Sequence, residues 1–418
     1  MKRFLISPTA KSWLPVPKDT HFPIQNLPFG VALLEEEQTS VVVRLGDHVI
    51  ALLPLQQEGL LADDMPLLED LTEFSPSDLS ELRKQVFDLL REGSPKLRDN
   101  REMRTMCIAP IEEVFLVHPM HIAAFVDFYS GINHASNVGK MFRPDMPPLL
   151  PNYRWLPVAY NGRASSVIVS GVDVPRPSGQ RKPAEGDPTY GPTRELDFEL
   201  EMGFFVGRDT DMGQTVKMDQ VDEFMMGMVL VNDWSARDVQ RWEYQPLGPF
   251  LAKSFATSIS PWMVTLDALE PFRVQGETQD PPALDYLAQR GKQHYDIQLE
   301  VFLQTPKMAE PERICLSNAR HLYWSFAQQL VHQASNGTAL EHGDLYGSGT
   351  ISGTEPNSYG SMLELTWRGA NPIKLSSGEE RTFLEDGDTL IMTGFAQGDG
   401  FKIGFGEIRT TITAAPKS

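Results

Sequence analysis

The sequence predicts a mainly β protein of the α+β kind. One reason is texture: from Pro110 onward, short apolar runs are broken repeatedly by glycine and proline, as in chains of many short strands. Another is that helical periodicity stands out at only two places, which favours packed sheets over a bundle. A third is composition, with 41% hydrophobic and 22% charged residues, a balance that builds a large core. At ~150 residues per domain, 418 residues make two or three domains, or one small and one large.

In chain order, Val41 to Leu45 and Val49 to Leu53 flank a Gly46-Asp47 turn and predict a hairpin. A helix follows: Ser75 caps it, Pro76 suits the first turn, and Leu79, Leu82, Val86, Leu89 and Leu90 share one face. Gly93 and Pro95 close it. The N-terminal part therefore reads as a small β domain with one or two helices. Further strands are expected at Ser166 to Ser170, Phe198 to Val206, Met228 to Val231, Ile297 to Leu303, Met362 to Trp367, Thr389 to Thr393 and Phe401 to Ile408. A second helix is expected over Ala319 to Ala334, with Leu322, Phe326 and Leu330 in register and Asn336-Gly337 ending it. Pro175 to Pro192 reads as a loop, either a lid or a plain connection.

Charge excludes some functions. Lys and Arg number 37 against 56 Asp and Glu, a net charge of -19. That surplus argues against a phosphate-backbone or anionic-membrane binder, since both need clustered cations. Cys107 and Cys315 are too few for a disulfide framework or thiolate zinc site and suit a reducing cytoplasm. No apolar run approaches the ~20 residues of a membrane-spanning helix, and Met1 to Pro15 makes a poor signal peptide. There is no repeat, and Gly347-Ser348-Gly349-Thr350 lacks the lysine of a phosphate cradle.

Three stretches could carry chemistry. In Glu195 to Met202, strand alternation puts Asp197, Glu199 and Glu201 on one face. Either they form the solvated face of an edge strand, or they hold a hard cation that prefers carboxylate oxygens. In Val231 to Tyr244, a helix would align Asp233, Arg237, Gln240 and Tyr244, as an exposed face or as a polar stripe near buried Trp234 and Trp242. Lys253 follows between an apolar turn and small residues, a setting in which a lone lysine is more often a surface charge. In Asp127 to Gly139, His134 lies among small residues with a carboxylate seven positions upstream, which alone is a weak signal.

These stretches resemble the fumarylacetoacetase family. The matching strings are DFYSGINHASNVGKMFR (Asp127 to Arg143), LPVAYNGRASSVIVSG (Leu156 to Gly171), LDFELEMGFFVG (Leu196 to Gly207), NDWSARDVQRWEYQPLGPFLAKSFATSISPW (Asn232 to Trp262) and SGTISGTEPNSYGSMLEL (Ser348 to Leu365). FPIQNLPFG (Phe22 to Gly30) fits the same family, so the likeness spans nearly the whole chain. The resemblance implies an SH3-like N-terminal β domain (1–118), a C-terminal mixed β-roll domain (119–418) and a homodimer. It implies hydrolysis of the carbon–carbon bond of 4-fumarylacetoacetate in tyrosine and phenylalanine breakdown.

By the same resemblance, Asp127, Glu199, Glu201 and Asp233 would hold Ca²⁺ or Mg²⁺, with Lys253 and Thr257 near a further cation. His134 would be the base, oriented by Glu364. Arg237, Gln240 and Lys253 would face the oxyanion, and Tyr129, Arg143, Tyr160, Gln240, Tyr244 and Thr350 would bind substrate. The competing readings are a hydrolase of another acylpyruvate or β-diketone acid, and a non-catalytic, metal-stabilised assembly protein.

Overall fold

The computed structural model describes residues 3–33, 38–67 and 69–417. Met1 and Lys2 of the N-terminal stretch lie outside them. The first layer is a five-stranded antiparallel sheet from Phe29–Leu33, Thr39–Leu45, His48–Ala51, Ile108–Pro110 and Phe115–Val117. The expected hairpin is present, but its second strand stops at Ala51 and the chain turns into a helix over Leu52–Gln57. The helix Pro76–Leu90 starts as expected, with Ser75 and Asp78 forming a reciprocal capping box.

The larger part is built on an eight-stranded mixed sheet. Along it run Ala159–Asn161, Phe125–Phe128, Leu345–Gly347, Leu200–Val206, Met225–Asp233, Thr257–Ile259 and Val167–Val169, while Val264–Thr265 adds to Met225–Asp233. Its two faces go to different cores, because side chains alternate along each strand. Leu200, Met202, Phe204, Met228 and Leu230 pack into the main core. Phe205, Val229, Val231, Ile259 and Leu345 pack instead with Val41, Leu79 and Leu82 of the N-terminal layer. A second, five-stranded sheet containing Gln298–Gln304, Thr389–Gln397 and Lys402–Thr413 covers the main core.

Other elements also differ from expectation. Met362–Leu365 is a short helix, capped by the Ser361 side chain on the Glu364 N–H. Ala319 to Ala334 divides into a 3-10 turn at Ala319–His321 and a helix at Phe326–Ala334, because Ser325 and Gln328 form their own capping box. Pro175 to Pro192 is not structureless: Ser178–Arg181 pairs with Thr189–Pro192 as a hairpin. Asp233 ends a strand, and the helix begins only at Arg237. The helix Ile132–Phe142, carrying His134, was not expected from periodicity.

Candidate active site

The ends of the central strands gather the acids. Asp127, Glu201 and Asp233 sit on strands at positions of one parity, so they continue the face that lower down meets the N-terminal layer. Glu199 joins them from the break between Leu196–Asp197 and Leu200–Val206. One carboxylate oxygen from each of the four lies within 4.8 Å of the others, and all four side chains are buried. The solvated edge-strand reading is therefore overturned: Leu200–Val206 lies between Leu345–Gly347 and Met225–Asp233, with Glu201 0% exposed.

The geometry fits a hard cation. The donors are all carboxylate oxygens, and Glu201 Oε1 is buried with no hydrogen-bond partner. Gly347 leaves the space they need, since a Cβ there would stand 2.8 Å from Asp127 Oδ1 and 2.9 Å from Glu201 Oε2. The Gly349 N–H donates to the same two groups, at 3.2 Å to Asp127 and 3.0 Å to Glu201. Burial, reinforced by the neighbouring carboxylates, pushes both Asp127 and Glu201 well above the usual carboxylate range. Glu199 escapes this: burial raises it, but Lys253 and Arg237 together pull it below its ordinary value.

Lys253 and Thr257 approach as hydrogen-bond donors to the acids. The Lys253 ammonium reaches Glu199 at 2.8 Å and Asp233 at 2.9 Å, and the Thr257 hydroxyl donates to Asp233 at 2.8 Å. Burial lowers Lys253, but Asp233 and Glu199 outweigh it and hold the amine charged, so it has no lone pair for a metal. Tyr160 likewise turns its hydroxyl to Asp233 Oδ2 at 2.5 Å.

His134 and Glu364, 230 residues apart, meet at 2.5 Å between Nδ1 and Oε2. Glu364 also accepts from Asn137 at 2.9 Å, Ser352 at 2.8 Å and Ser361 at 2.9 Å. Burial alone would raise this carboxyl, yet His134 and these donors hold it below its ordinary value. Asn137, Ser352 and Ser361 were missed by sequence reasoning. The Ser361-x-x-Glu364 spacing was the available signal, being the start of a capped helix.

A cavity of about 330 Å³ opens beside these groups. Asp127, Tyr129, His134, Arg143, Tyr160, Glu199, Arg237, Gln240, Tyr244 and Lys253 line it. Glu201, Asp233, Thr257, Glu364 and Thr350 stand behind its wall as buried groups. Arg143 Nε, Arg237 Nη2 and Thr350 Oγ1 are buried without hydrogen-bond partners. Sequence reasoning missed the apolar wall of Val138, Phe142, Val158, Leu247 and Leu363, which has no motif of its own. Asp197 does not join the acid cluster; it faces Arg237 at 2.8 Å.

Known proteins resemble the chain over nearly its whole length. A family model described as fumarylacetoacetate (FAA) hydrolase C-terminal matches residues 124–413, and one described as fumarylacetoacetase N-terminal matches residues 25–119. Fumarylacetoacetases of Dictyostelium discoideum and Homo sapiens are each 44% identical, over 97% of this chain and 99% of theirs. Among solved structures, a fumarylacetoacetate hydrolase from Exiguobacterium antarcticum superposes with a TM-score of 0.50 at 15% identity, over 93% of this chain and 99% of that one. A 5-carboxymethyl-2-hydroxymuconate delta-isomerase from Mycobacterium smegmatis gives 0.50 at 16%, over 93% and 100%, which shows the shared fold. Both family models, covering most of the chain in their proper order, and near-full-length identity with its curated members place this chain in the fumarylacetoacetase family.

Proposed function

We propose that the chain hydrolyses the carbon–carbon bond of 4-fumarylacetoacetate, giving fumarate and acetoacetate, the last step of tyrosine and phenylalanine breakdown. The observation that carries this reading is the His134–Glu364 pair opening onto the same cleft as the four-carboxylate cluster. A cation held by Asp127, Glu199, Glu201 and Asp233 would supply Lewis-acid polarisation of the diketone oxygens.

The chain's own groups do the rest. Glu364 fixes the proton of His134 on Nδ1, which leaves Nε2 to take a proton from water. The hydroxide adds to the carbonyl, and Arg237, Gln240 and Lys253 face the oxyanion. As the carbon–carbon bond breaks, its electron pair stays with the acetoacetate carbon, and His134 returns the proton there. Arg143, which has a free Nε–H and lines the cleft with Tyr129 and Tyr244, suits a terminal carboxylate of the substrate. Val138, Phe142, Val158 and Leu363 give the cleft an apolar side against the carbon skeleton.

Finer assignments belong to the same reading. The ion is Ca²⁺ or Mg²⁺, since every donor is a hard oxygen. The division into 1–118 and 119–418 is supported by the separate N-terminal sheet. Cys107 and Cys315, buried and unpaired, suit the cytoplasm. No helix among the described residues is long and apolar enough to cross a membrane. A homodimer is supported by exposed Leu247, Phe250 and Leu251, apolar surface that a second copy would cover.

Turnover on fumarylacetoacetate beside simpler acylpyruvates, with products identified by chromatography, tests the substrate. Fumarate and acetoacetate at the highest kcat/KM are expected; faster cleavage of a simple acylpyruvate would reassign it.

A further inference from the structure

Asp197 is a charged residue in the core that the reaction scheme leaves unused. Its side chain is 0% exposed, and its oxygens accept from two different parts of the site. Oδ2 takes the Arg237 Nε–H at 2.8 Å and the Leu363 N–H at 3.0 Å. Oδ1 takes the Met362 N–H at 2.6 Å. Met362 and Leu363 open the four-residue helix that carries Glu364, the partner of His134. Arg237, held on its other side by Glu199 at 2.7 Å and Gln240 at 3.1 Å, keeps Nη2 free of any partner. One buried carboxylate therefore ties the guanidinium to the backbone that aims the base.

We infer that Asp197 is a positioning residue for the hydrolysis, which sets Arg237 and the Glu364 helix in register with each other. The inference rests on the reading that this cleft is the hydrolytic site. Its neighbours in sequence, Glu199 and Glu201, join the cation cluster, whereas the Asp197 carboxylate meets Arg237 and the start of the Glu364 helix instead. Two N–H groups and one guanidinium satisfy its oxygens, so it is available to neither cation nor substrate. A displacement of ~1 Å at reacting groups costs on the order of 100-fold in rate, so an anchor shared by base and oxyanion donor acts chiefly on the transition state.

The test is Asp197→Asn, nearly isosteric, assayed on metal-loaded enzyme alone and combined with Arg237→Ala. The expected result is cooperative melting, kcat lower by about 30- to 100-fold, and KM within about threefold of wild type. In the Arg237→Ala background, Asp197→Asn should lower kcat by clearly less than it does alone, because part of its effect runs through Arg237. Fully additive losses, an unchanged kcat, or a variant that does not fold would overturn the assignment and leave Asp197 a structural group. Failure of the wild type to turn over substrate would instead sink the reading of the cleft on which the inference stands.

Discussion

At the residue scale, the pair that matters most was the least visible in the sequence by its own chemistry. His134 showed only small neighbours and a distant carboxylate; its true partner, Glu364, lies 230 positions away and was reached through family likeness alone. Long-range pairing leaves no local pattern, so Asn137 and Ser352 around Glu364 had no signature either, and only Ser361 left one, in its cap spacing. Replacing Glu364 by Gln removes the charge that orients the imidazole, and kcat should fall by on the order of 100-fold or more with KM little changed in steady-state assays. The same carboxyl is held below its ordinary value in the fold, so its contribution to stability is present above that ordinary value and lost as pH falls through the depressed one. Glu364→Gln should accordingly flatten the acid side of the stability–pH curve. Another buried group adds to acid sensitivity: burial pushes His294 down to about 4. Its folded value lies below the unfolded one, so stability falls as pH drops from about 6.5 toward 4. His294→Gln should lessen that fall in urea melts, and an unchanged slope would contradict it.

At the element scale, strands were more legible than the junctions between them. Apolar runs such as Met228 to Val231 lie inside observed strands, but periodicity carried the helix of Arg237–Glu243 back to Asp233, which is the last residue of a strand. The difference matters chemically, because a strand end places Asp233 beside Asp127 and Glu201, and a helix would not. Met362–Leu365 reads as apolar strand by composition, yet the Ser361 cap decides for helix. The turn at Gly349 leaves no room for a side chain. Its φ is +77°, and a Cβ would stand 2.2 Å from the Phe128 carbonyl oxygen. Gly349→Ala should therefore move the N–H that Asp127 and Glu201 share and weaken cation affinity by about 10- to 100-fold in calorimetric titration. Ser75→Ala, by contrast, should cost only about 1 kcal/mol of stability and leave kcat untouched, since it loosens a helix far from the cleft.

At the scale of the whole molecule, the central sheet serves both parts of the chain. Its lower face meets the N-terminal layer, and the same face, continued to the strand ends, bears the acids. Fold class and the two-part organisation were legible because they depend on composition and alternation summed over many residues. The acid surplus was legible as charge but not as place, since burial of four carboxylates depends on which strands become neighbours. A bound cation would satisfy four crowded, buried carboxylates, so removing it with EDTA should lower the melting temperature by several degrees, and Ca²⁺ or Mg²⁺ should restore it. In the proposed hydrolysis the His134 base works beside that cluster. This is tested most directly by following loss of the ultraviolet absorbance of fumarylacetoacetate with metal-loaded wild type, EDTA-treated wild type and metal-loaded His134→Ala. Rapid loss is expected with the first and almost none with the other two, while His134→Ala still binds the ion; undiminished turnover by His134→Ala would contradict the role of this base.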